Sequence, residues 1–209
     1  MATDSIALRL INQSADLNNS SILIYQKNVA TNFDELFVAW RVIDNLGSGW
    51  VHPFQYDLNL QVSAADSWGN FVPQQDSADG QLWTVNRDGS GDQLKPTGPA
   101  NSASEVQVLN GLEQGAISAC IYRSGQLLSK KTGVAPGQKA VFVFKPTIWI
   151  GVVSQVEQGQ LLDAAILSNV NTQLDLRNIA SADIVMSGGG PGKNSRPFGF
   201  ALQNVQPMG

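Results

Sequence analysis

The stretch Tyr56-Asp57-Leu58-Asn59-Leu60-Gln61-Val62-Ser63 alternates apolar and polar residues at every position. Successive side chains of a strand point to opposite faces, so a period of two predicts one half-buried β-strand here. Outward from it the same pattern recurs at 6–11, 22–26, 36–43, 82–86, 105–109, 117–122, 140–144, 148–153, 173–176, 182–186 and 198–202. Turn chemistry separates the runs, as in Arg123-Ser124-Gly125-Gln126, Ala135-Pro136-Gly137-Gln138, Asp88-Gly89-Ser90-Gly91 and Asn110-Gly111. Glycine supplies positive φ in such turns and proline presets φ. Short strands at this spacing predict an all-β protein, an antiparallel β-sandwich of jelly-roll or Greek-key type. Residues 155–170 choose no period and stay open between one short helix and a strand. Residues 73–80 and 95–104 read as loops, the second as a long loop within a single domain spanning 1–209.

Composition narrows the function classes. The chain has 209 residues, 43% of them hydrophobic and only 14% charged, with a net charge of -4. The charged share is far below the usual ~25%, and Asn, Gln, Ser and Thr fill the gap. Beyond Lys130-Lys131 no basic cluster exists, which argues against nucleic acid as a partner. The start, Met1 to Arg9, lacks a basic segment followed by a long apolar one. No stretch reaches the apolar length of a membrane span. The expectation is cytosolic synthesis, with any action outside the cell needing non-classical release. Cys120 is the lone cysteine, so no internal disulfide forms, and its apolar neighbourhood predicts a buried structural thiol.

Several motifs invite chemistry. In Ser187-Gly188-Gly189-Gly190-Pro191-Gly192-Lys193-Asn194 a phosphate-binding loop would need glycine at Ser187 and a hydroxyl at Asn194, with a helix behind. Strand patterns flank it instead, so it reads as a hairpin-like loop or a bulged strand end. Asn86-Arg87-Asp88-Gly89-Ser90-Gly91-Asp92 resembles the first half of a calcium loop, but Thr97 stands where the bidentate carboxylate belongs. Hairpin turn residues explain the same composition. His52 is the sole histidine, and any Ser-His-Asp or Cys-His mechanism would have to use it. A glycosidase pair among Asp57, Asp66, Asp76, Asp79, Asp88 and Asp92 cannot be read from spacing in a β-protein. No cofactor or metal is expected.

Five tryptophans remain. Trp40 and Trp149 lie in strand runs and are assigned to the core. Trp50 and Trp68 flank turns, beside His52 and Asn70. An aromatic platform next to amides suits a sugar face, and tryptophan also suits a membrane surface. The candidate ligand-binding residues are therefore Trp50, His52, Trp68 and Asn70.

Leu10-Ile11-Asn12-Gln13-Ser14, Ile22-Leu23-Ile24-Tyr25-Gln26, Phe37-Val38-Ala39-Trp40, the run 182–189 and Phe198-Gly199-Phe200 resemble the RhiA-type proteins. The resemblance implies a bacterial accessory protein, associated with rhizosphere growth, that has no established reaction. It transfers no site residues. The functional expectation is a non-enzymatic interaction or self-assembly protein, whose partner is itself as a homo-oligomer. The alternatives are a carbohydrate-binding module or a membrane-acting β-sandwich.

Overall fold

The computed structural model describes residues 5–30 and 36–209; the first four residues of the leader reading lie outside it. The described chain is all-β and sandwich-like, with four mainly antiparallel sheets and one short helix. In chain order the strands are β1 (Ser5–Asn12), β2 (Ser21–Tyr25), β3 (Leu36–Phe37), β4 (Arg41–Ile43), β5 (Val51–Asp57), β6 (Leu60–Ala65) and β7 (Gln75–Ser77). There follow β8 (Gln81–Asp88), β9 (Gly91–Pro99), β10 (Val106–Asn110), β11 (Ile117–Arg123), β12 (Gln126–Val134), β13 (Lys139–Phe142) and β14 (Thr147–Val153). Helix α1 (Ala164–Asn169) precedes β15 (Thr172–Asp175), β16 (Ile179–Gly189) and β17 (Arg196–Pro207).

The sequence reading takes 1–209 as one domain; the chain gathers into two compact units. Unit 1 comprises 1–26, 38–58 and 146–209, and unit 2 comprises 27–37 and 59–145. Each owns two of the four sheets.

Unit 1 holds the sheets β17-β16-β1-β5 and β15-β14-β2-β4. β1 alternates cleanly, with Ile6, Leu8 and Leu10 buried against exposed Ala7 and Arg9. β2 is instead apolar at Ile22, Leu23 and Ile24, all fully buried, so it is covered on both faces. Trp40, just before β4, meets Phe54 and Tyr56 of β5 edge-on at 6.5 and 5.8 Å. That contact joins the two sheets, and edge-to-face rings add about 0.5–1.5 kcal/mol beyond their burial. Buried Gln26 donates to the Tyr56 hydroxyl and to the Thr147 carbonyl, each at 2.8 Å, so its amide is not left unsatisfied in the core.

Unit 2 holds the sheets β13-β10-β8-β9 and β3-β12-β11-β6-β7. Val106, Val108, Ala119 and Ile121 fill its interior without exposure. Polar ties span the sheets: Trp83 Nε1 of β8 donates to Ser77 Oγ of β7 at 2.9 Å, and Gln75 Nε2 donates to the Leu94 carbonyl at 2.7 Å.

The opening stretch is not one strand. β5 ends at Asp57 in unit 1, and β6 begins at Leu60 in unit 2. Tyr56 enters one core, Leu60 and Val62 the other, while Leu58 sits in a bend at 39% exposure. The alternation survives the break because an apolar residue happens to occupy the exposed corner, with no glycine or proline to mark it. The run 36–43 divides likewise into β3 and β4, with Val38 bridged to Leu161. Residues 95–99, read as loop, complete β9. This strand lies at a sheet margin, where Pro96 and Pro99 cost no ladder bond on the open side. In 155–170 a six-residue helix forms, started by Asp163, whose Oδ1 accepts the Ile166 N–H at 2.9 Å. Among the described residues two strand pairings, β1 with β16 and β8 with β10, are parallel. No helix among the described residues is long and apolar enough to cross a membrane.

Candidate functional site

The glycine stretch is a strand margin. β16 runs through Gly189, a short 3-10 turn covers Gly192–Asn194, and β17 returns antiparallel. A Cβ on Gly188 would stand 2.2 Å from the Pro197 carbonyl oxygen, and one on Gly189 would stand 2.9 Å from the Phe198 ring. Both have positive φ, 94° and 73°. The neighbouring chain engages this backbone: Ala15 N–H donates to the Gly188 carbonyl at 2.8 Å, and Gly190 N–H donates to the Ala15 carbonyl at 3.1 Å. The glycines serve close backbone approach. The calcium-like loop is the β8–β9 hairpin, where Asp88 Oδ1 accepts the Ser90 N–H at 2.8 Å. Asp92 is held by Arg87. No group of three or more metal-ligating side chains converges among the described residues.

A groove in unit 2 is built from three loops. The first follows β6. Asp66 Oδ1 accepts the N–H groups of Trp68 and Asn70, both at 2.9 Å, and Oδ2 accepts Asn70 Nδ2 at 2.7 Å. The Asn70 amide, together with these backbone N–H groups, holds the Asp66 carboxyl below its ordinary pKa, so it is ionised at neutral pH. Gly69 takes φ +87°, the left-handed geometry that closes this turn. The turn lifts Trp68 to its tip at 89% exposure, and Phe71, three residues further on, is also exposed.

The second wall is the β8–β9 hairpin. Arg87 and Asp92 are register partners. Arg87 Nε donates to Asp92 Oδ1 at 2.6 Å and Nη2 donates to Oδ2 at 3.0 Å. The third is the loop after β10. Gly111 lets it lie against β8, since a Cβ there would stand 2.4 Å from Asn86 Oδ1. Buried Asn110 pins it, donating to the carbonyls of Gly115 (2.9 Å) and Val134 (2.8 Å) and accepting from the Leu112 N–H (3.0 Å).

Between these walls lie three depressions of about 290, 330 and 380 Å³. Arg87 lines all of them. Asp66, Asn70, Phe71 and Asp92 line the first; Trp68 and Gln114 line the second; Glu113 and Gln114 line the third. Volumes near 300 Å³ fall at the lower end of small-molecule sites. The walls offer an aromatic platform and mostly oxygen acceptors.

Of the four residues nominated from sequence, Trp68 and Asn70 share this groove. Trp50 and His52 belong to unit 1. Trp50 is 67% exposed, its indole resting over Gly47. His52, on β5, pairs with Leu10 and is half-buried. Burial, and then the nearby Arg41 charge, hold its pKa below the usual histidine range. Arg41 itself lies over the rings of Trp40 and Phe54 at 5.3 and 5.1 Å. Cys120 is buried on β11 in unit 2, and burial pushes its thiol pKa up. Phe71 and the 110–116 loop were not nominated from sequence, and Arg87 and Asp92 entered only through the calcium-like stretch, with Asp92 also among the six scattered aspartates, never as a saccharide site. The register of a hairpin and the approach of a loop from another strand leave no mark at those positions, although Asp66 two residues before Trp68 is a legible turn signal. The chain matches no protein family, no curated protein and no solved structure.

Proposed function

We propose that this is a non-enzymatic saccharide-binding protein, with the unit 2 groove as its binding surface. One observation carries the reading: Trp68 stands almost wholly in solvent on a turn fixed by Asp66 and Asn70, directly beside acceptor-lined depressions. An indole so exposed loses apolar burial that a chain normally takes. A sugar's C–H face restores it, while hydroxyls donate to the carboxylates and amide oxygen. The RhiA-type resemblance fits an accessory role without a reaction. Screening of immobilised oligosaccharides, followed by calorimetry on the best one, tests this. Trp68→Ala should weaken binding about tenfold or more. Affinity unchanged in both Trp68→Ala and Phe71→Ala would dismiss the groove.

Self-association is a second reading, favoured by β17. This twelve-residue strand lies at the margin of its sheet, and from Phe198 to Gln206 it contains no charge and no proline. Uncharged margins are templates for another strand. Light scattering across a wide concentration range tests it, and a strict monomer throughout would remove it.

A further inference from the structure

We infer that the groove selects neutral saccharides, and that Asp92 sets this selectivity by neutralising the guanidinium of Arg87. The inference rests on the saccharide reading above and names its ligand class.

Arg87 is the only cation among the described residues lining the three depressions. The carboxylates of Asp66, Asp92 and Glu113 line them as well. A uronate, sialate or sulfate group is recognised best by the two-pronged edge of a guanidinium. The side-on edge of Arg87 is spent and its charge offset: Nε and Nη2 both donate to Asp92, from a position fixed by strand register. The end-on edge, two N–H groups on Nη1 and the second on Nη2, remains for hydroxyls or a ring oxygen, but Asp92 already neutralises the charge behind it. An anionic ligand would have to displace Asp92 or bind the end-on edge of an already neutralised pair while facing Asp66 and Glu113. Like charges brought together at a binding surface disfavour the complex.

A neutral sugar meets the opposite situation. Its hydroxyls are donors, and the walls are rich in acceptors. Asn70 gives one Nδ2 N–H to Asp66 and keeps its carbonyl oxygen as an acceptor. Asp66 is kept ionised and therefore acceptor-only. Asp92 thus acts as a specificity-determining residue that offsets the one cation among the described residues that a ligand in these depressions would meet.

The test is calorimetry with a matched pair, a neutral hexose trisaccharide and the same trisaccharide ending in a uronic acid, chosen from the backbone that binds best. Wild type should prefer the neutral member by about tenfold or more. Asp92→Asn keeps the shape and frees the guanidinium, so it should shrink that preference at least about threefold, mainly by tightening the uronate. Adding Arg87→Gln to Asp92→Asn removes the fork and should abolish the gain. Equal affinity of wild type for both members would overturn the inference while leaving the saccharide reading intact. Unchanged selectivity in Asp92→Asn would overturn the part given to Asp92. Binding of no saccharide at all would overturn the underlying reading.

Discussion

Arg9 and Asp183 are register partners on the parallel strands β1 and β16, and they close a two-pronged ion pair with Nε–Oδ1 at 2.7 Å and Nη2–Oδ2 at 2.9 Å. Asn204 of β17 adds a third donor to Asp183 at 2.7 Å. One buried carboxylate therefore ties three strands of one sheet. Hydrogen bonds from Arg9, and next from Asn204, hold its pKa below the usual carboxylate range. A depressed folded-state pKa contributes stability above the unfolded value near 3.9, and that stability is lost as pH falls through the folded value. Asp183→Asn should therefore lower the urea midpoint at pH 7, and the gap to wild type should close below about pH 4. A gap that is constant from pH 7 to pH 2.5 would contradict the assignment.

Gly188 has no room for a side chain. Gly188→Ala should destabilise by of order 3 kcal/mol or more, from the clash with Pro197 and the positive φ together. Gly192, with positive φ but open space around it, should cost only about 1 kcal/mol as alanine. Thermal unfolding of the two variants checks the ranking, and equal losses would refute it.

The single histidine gives a clean titration. The Hε1 proton of His52 followed by NMR should show a midpoint below about 6.5. Arg41→Met should raise it, since one of the two causes of depression is removed, while burial keeps it from returning fully. Because the unfolded chain takes up this proton first, the contribution of His52 makes the fold less stable as pH drops from 7 through that value. A midpoint at or above the free value would show that His52 is more open than its place on β5 implies.

Cys120 should resist a thiol reagent in the native protein and react in full once the chain is unfolded in denaturant. Burial both shields the sulfur and disfavours the thiolate. Rapid stoichiometric labelling of the native protein would contradict this placement.

Strand existence was legible because it depends on local alternation. Ile6, Leu8 and Leu10 announce β1 by themselves, and Ser124-Gly125 announces the turn between β11 and β12, where both residues take positive φ. What was not legible depended on remote chain. Leu58 looks like a strand residue and is a corner, because the partition of 56–63 between two cores is decided by β1 on one side and β11 on the other. β9 was hidden by Pro96 and Pro99, which a margin tolerates and an interior strand does not. In the groove, Trp68 and Asn70 could be found from their turn. Arg87 and Asp92 could not, since their meeting is a matter of register across the hairpin.

The parallel pairing of β1 with β16 has a consequence for the birth of the protein. The partners Arg9 and Asp183 are 174 residues apart. At a translation speed of roughly 5–20 residues per second, β1 waits roughly 9–35 s on the ribosome before its second neighbour emerges. During that interval one side of an apolar strand is bare, and the nascent chain is open to chaperones or to its own neighbours on a polysome. A ribosome halted before residue 179 would release a product prone to clump, and slowing elongation would lengthen the hazard in proportion.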